Sequence, residues 1–162
     1  MPRLIAALLL LAACAVPSVP PAALRDTARP MFSAALFDPV RLPGDWVQVA
    51  DIAFPGAPAC APGWVRIGTD GGVAGQLCLN GQVVPLSGRL VPVGPGRIAI
   101  GGREHWWVVW VDEGYRTLAV GTPSGAFGFV LDRAGGGEDR LRAAAEILDF
   151  NGYDRRLLRS LR

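Results

Sequence analysis

The sequence predicts an all-β protein: an eight-stranded up-and-down antiparallel barrel with one C-terminal α-helix packed outside it. Three observations carry this. With Gly 21 and Pro 14 among 162 residues and a hydrophobic content of 51%, the chain suits short strands joined by tight turns better than a helical bundle. Apolar segments of strand length recur from Trp46 to Asp132, separated by turn residues. A single stretch near the C-terminus has helical spacing instead.

The elements follow in order. Trp46 to Ala53 is the first strand, Trp64 to Gly68 the second and Val73 to Asn80 the third, with Asp70-Gly71-Gly72 as the hairpin turn between the last two. Asn80-Gly81 is a second such turn, leading into Val83 to Val93. Pro85 and Pro92 make that fourth strand an edge, a bend or two shorter pieces. Arg97 to Ile100, His105 to Asp112, Tyr115 to Val120 and Ala126 to Asp132 complete a meander. Closing it into a barrel removes the exposed edges of an open sheet. Glu138 and Asp139 then suit a helix N-terminus, Leu141, Ala144, Ala145 and Leu148 share one helical face, and Asn151-Gly152 ends the helix. Arg155 to Arg162 is either a further short strand or a loosely ordered end.

Alternation assigns the faces. Leu77 and Leu79 point inward and Cys78 outward; Leu86 and Leu90 oppose Ser87 and Arg89. The sixth strand is apolar on both sides, with Trp106, Val108 and Trp110 expected inside and Trp107, Val109 and Val111 outside. The helix is the expected cover for the outer side.

Before the barrel, an apolar run from Leu4 to Ala13 follows Arg3 and ends in Leu11-Ala12-Ala13-Cys14. It is well short of the roughly 20 residues that span a bilayer and reads as an export signal. The segment resembles the bacterial lipoprotein signal, with Leu11 to Cys14 matching its lipobox. That resemblance implies a signal peptide over residues 1–13, lipidation of Cys14, and an outer-membrane location facing the periplasm, because Ala15 rather than aspartate follows the cysteine. An ordinary secretory signal with an incidental cysteine is the alternative. Residues 14–41 carry Pro17, Pro20, Pro21, Pro30 and Pro39 and are expected to form a lipidated, semi-extended tether. The domain proper is expected over 42–162. With Cys14 lipidated, Cys60 and Cys78 are left as a disulfide pair in an oxidising compartment.

Several function classes are excluded by composition. The formal net charge is +2, and all 16 basic residues are arginine, scattered along the chain; no basic stripe marks a nucleic-acid surface. Without lysine there is neither Schiff-base chemistry nor a P-loop. One histidine, no Gly-x-Ser-x-Gly turn and no cysteine–histidine cluster argue against catalysis and metal binding. No enzyme activity, cofactor or metal is expected.

Three short blocks are similar to the signature of the lipocalins, in particular the bacterial lipoprotein branch related to apolipoprotein D. Gly44-Asp45-Trp46 matches the Gly-x-Trp start of the first strand. Asp112 to Tyr115 matches the second block, and Phe127 to Arg133 the third, ending in arginine. Ala145 to Asp154 resembles the end of the bacterial members' helix. The resemblance implies a calyx whose closed end is sealed by Trp46 and Arg133, with Gly44, Asp112 and Tyr115 in structural roles. It also implies a ligand of the fatty acid or lysophospholipid class. The expected ligand wall is Leu77, Leu79, Leu86, Leu90, Trp106, Val108, Trp110, Phe127 and Phe129, with Arg66, Arg97, Arg103 and His105 as possible partners for an acidic headgroup. The alternative is an envelope lipoprotein whose barrel is filled by these same side chains and binds nothing.

Overall fold

A computed structural model describes residues 22–134 and 136–161; the expected signal peptide, residues 1–13, and Cys14 lie outside them. Eight strands close the barrel: β1 Gly44–Ile52, β2 Trp64–Ile67, β3 Gly72–Leu79, β4 Gln82–Gly94, β5 Arg97–Ile100, β6 Trp106–Val111, β7 Thr117–Gly121 and β8 Gly128–Asp132. Helix α1, Glu138–Phe150, and a short β9, Leu158–Ser160, follow. Each strand pairs antiparallel with the next, and β1 pairs with both β8 and β2, which makes the ring. The β3–β4 hairpin turns on Asn80 and Gly81, with φ of 50° and 81°, the left-handed pair that a two-residue hairpin demands. Strand β4 runs through both prolines as one element, without breaking.

The seam of the barrel lies where β1 changes partner. Gly44–Val47 pairs with β2, whereas Ala50–Ile52 pairs with β9. Because β2 stops after four residues, the far end of β3 lacks a neighbour on that side. The fully buried Gln48 supplies one: its amide Nε2 donates to Cys78 O and its Oε1 accepts from Cys78 N, both at 2.7 Å. A side-chain amide thus stands in for a strand's donor and acceptor. The Cys60–Cys78 disulfide, closing 18 residues, lies on the same seam, next to the pairing of Arg159 with the buried carboxylate of Asp51 at 3.1 Å.

Two apolar clusters result. One fills the barrel, with Trp46, Val65, Ile98, Ile100, Leu118, Val120, Phe129 and Leu131 among its members. The other lies between the barrel wall and α1, and joins Ala144 and Leu148 of the helix with Val49, Ala50, Val109, Ala119 and Val130 of the strands in one cluster. The helix is also held electrostatically. Arg140 donates to the buried Asp132 at 3.0 Å, and Asp132 accepts from Ala134 N and Gly136 N. Burial pushes the Asp132 carboxyl up, but Thr117 Oγ1–H, those two amides and Arg140 together hold it below the usual carboxylate range.

The expected tether requires correction. Its described part, residues 22–41, is docked on the barrel. Leu24 is 3% exposed, Asp26 N donates to Gly152 O, and Ala34 N donates to Val108 O at 2.8 Å. Arg25 is buried as well, and its guanidinium reaches Asn151 O and Pro123 O. Prolines bar a ladder, but they do not stop Leu24, Met31 and Phe37 from burying apolar surface. Beyond the helix, Leu158–Ser160 takes the strand alternative by pairing with β1.

Candidate ligand-binding site

The two ends of the barrel are built differently. At one end the Arg133 guanidinium lies 4.1 Å over the Trp46 ring and donates to Tyr115 O, Pro43 O and Arg41 O at 2.8 to 3.0 Å. Trp46 is 1% exposed and its indole N–H donates to Leu42 O. Gly44 has φ of 125°, and a Cβ there would collide with the Arg133 guanidinium, so glycine is required where the chain passes over the floor. Asp112 accepts from the backbone N–H groups of Arg116 and Thr117, which lets Tyr115 hold a φ of 53°. The Tyr115 hydroxyl accepts from Asp38 N. The floor is closed by stacking and hydrogen bonds together.

At the opposite end the barrel opens into a cavity of about 440 Å³. Its apolar wall is Leu77 and Leu79 from β3, Val84 and Leu86 from β4, Trp106 from β6, and Ala126 and Phe127 just before β8. Asn80, Gln82, Arg103 and Glu104 form the polar rim. Arg103 donates to Pro85 O, and Glu104 is hydrogen bonded to the hydroxyls of Thr122 and Ser124. Behind this rim the Tyr153 hydroxyl donates to Phe127 O at 2.6 Å and accepts from Thr122 N at 2.8 Å. Burial pushes its pKa up to about 12, so the phenol stays protonated and the rim braced. Leu24 N donates to Gly125 O at 2.7 Å, which brings the N-terminal segment onto the same rim.

Of the expected wall, Leu77, Leu79, Leu86, Trp106 and Phe127 line this cavity, and four residues do not. Val108 and Phe129 are 0% exposed in solid core beneath it; the Trp106 and Phe129 rings meet edge-on at 5.0 Å. Leu90 lies at the floor end, beside Val40, Pro43 and Ile67. Trp110 is outside the barrel, in the cluster under α1. The cause is a bulge in β6: Val108 pairs with Val120 but Trp110 with Ala119. Val109 and Trp110 both face outward and Val111 returns inward. Strict alternation fails wherever a strand gains one residue against its partner.

Among the suggested cations, Arg103 alone is on the rim of the cavity. Arg66 pairs with Asp45 near the floor, Arg97 stacks on Trp107 at 4.0 Å, and His105 is exposed. Gln82 and Val84 were legible from the alternation that sets Leu86 inward. Asn80, Glu104 and Ala126 sit in turns, whose meeting at one rim depends on closure of the barrel. Among the described residues no group of three potential metal ligands is present.

No family model matches the sequence, and no curated protein is significantly similar to it. Solved structures do match in shape. Per a 4, a major allergen from cockroaches, superimposes with a TM-score of 0.56 at 12% identity, covering 82% of this chain and 92% of that one. Apocrustacyanin C1 gives 0.53 at 12% identity, over 73% of this chain and 75% of its own. Apocrustacyanin C2 gives 0.51 at 13% identity, with the same shares. This is the lipocalin fold. At such identities the likeness establishes the fold alone: a lipocalin barrel followed by one helix.

Proposed function

We propose that this protein is a membrane-anchored lipoprotein of the lipocalin family, akin to the bacterial branch related to apolipoprotein D. It binds or stores one small hydrophobic ligand of the fatty acid or lysophospholipid class at the cell envelope. The observation that carries the reading is the cavity at the open end. At about 440 Å³ it falls within the range of small-molecule sites, and its walls are apolar up to a polar rim. Arg103 on that rim suits a carboxylate or phosphate headgroup. The lower barrel favours the alternative of a filled, structural lipoprotein, because Ile98, Ile100, Val108 and Phe129 are buried there in one apolar cluster. The upper cavity, many water volumes in size, favours the binder. No catalytic step is assigned.

The anchor reading draws on Leu11 to Cys14, with the outer membrane, periplasmic side, as the proposed site. Support for its geometry comes from Leu24 at the mouth, ten residues after Cys14: a lipid on that cysteine would tether the domain by its open rim. Two experiments test the proposal. Cys14→Ser should release the protein from the membrane fraction, and retention of a processed serine variant without detergent contradicts the anchor. Binding of decanoate or lysophospholipid should quench or shift Trp106 fluorescence saturably at micromolar concentration, a free energy of about 8 kcal/mol. A folded protein with no saturable response favours the filled barrel.

A further inference from the structure

We propose that the cavity measures the length of its ligand's apolar tail, and that Trp106 sets the limit at about eight to ten carbons. This deepens the ligand-binding reading above and rests on it. Strand β4 lines the cavity from Gln82 to Leu86, four residue steps that advance about 13 Å along the strand. The tilt of barrel strands reduces this to about 10 Å along the axis. Directly beneath it the described residues are packed: Trp106 meets Phe129 edge-on at 5.0 Å, and Phe129 and Val108 are both 0% exposed. An extended hydrocarbon advances about 1.25 Å per methylene, given a C–C bond of about 1.52 Å at a near-tetrahedral angle. A tail of about eight to ten carbons therefore reaches the indole, and further carbons must stay outside or fold back. Trp106 is the residue to change, because it is the largest of the side chains shared by the cavity wall and the packed layer beneath, and it meets Phe129 edge-on.

The test is calorimetric titration of the full chain with straight-chain carboxylates from hexanoate to hexadecanoate, each below its micelle concentration. Each methylene removed from water strengthens binding about fourfold, so affinity should climb to decanoate and then level off. Trp106→Ala should move the break several methylenes further; Trp106→Leu, which keeps more of the core, should move it the same way by less. Trp107→Phe, beneath Arg97 on the outer wall, should leave the break in place. An unbroken rise through hexadecanoate, or a break that stays put in a folded Trp106 variant, overturns the proposal. Binding at no chain length removes the ligand-binding reading itself, so the two failures are distinguishable.

Discussion

The floor and the mouth of this barrel both carry aromatic rings but use them oppositely. At the floor, Trp46 is covered by a guanidinium whose donors are taken up by backbone carbonyls. At the mouth, Trp106 and Phe127 present surface to an open cavity, while the hydrogen bonds of Glu104 and Tyr153 are spent on the loops behind it. The difference teaches that one continuous sheet can be sealed at one end and left hollow at the other; on the proposed function, stability and binding then sit at opposite ends. Floor substitutions should cost folding and spare binding; mouth substitutions should do the reverse.

The sharpest way to break that division is Trp46→Ala, which empties the floor. It should cost about 3 to 5 kcal/mol in urea unfolding, with Arg133→Ala milder. Parent-like stability in both variants would show that the floor does not hold the barrel shut. Next in size is the seam. Reducing Cys60–Cys78, which closes 18 residues, should remove about 3 kcal/mol in the chain-entropy model and lower the melting temperature by several degrees. Unchanged melting after complete reduction would leave Gln48 as the seam's main support.

Tyr153 gives a smaller effect, confined to alkaline pH. Its folded pKa, raised to about 12 by burial, lies above the unfolded value near 10. Its contribution is therefore complete below about pH 10 and lost as pH rises toward 12, at most about 2 to 3 kcal/mol. Tyr153→Phe should flatten the stability profile in that window, and an unaltered profile would contradict the assignment. Smallest in stability is Leu79→Ala on the half-exposed wall, expected to cost under about 1.5 kcal/mol yet to weaken ligand binding severalfold. A large loss of stability with intact binding would erase the distinction between the two ends.

How far the sequence revealed this depends on whether local pattern or closure decides. Turn chemistry at Asp70 to Gly72 and Asn80-Gly81, strand-length apolar runs and the spacing of Leu141 to Leu148 are local, and the strands and helix fall where they indicate. The bulge that turns Trp110 outward leaves no trace in a run of six apolar residues, since either face accepts any of them. Gln48 reads as an ordinary polar residue of a strand, and its bonds to Cys78 depend on β2 ending early. The docking of residues 22–41 was hidden because prolines advertise what the backbone does not form, and not what its side chains bury. For the mouth, Leu77, Leu79 and Leu86 followed from alternation, which gives a side chain's face but not its depth and so misplaced Leu90, at the floor end; Glu104 and Ala126 become neighbours through closure.

The most direct measurement is methyl-resolved NMR of the folded protein titrated with decanoate. The account predicts saturable shifts at Leu77, Leu79, Val84 and Leu86 around the mouth cavity, with Ile67, Val73 and Leu90 near the floor and Val109 and Val130 under the helix unmoved. No shifts at any concentration, or shifts confined to the floor or the helix-covered cluster, would contradict it.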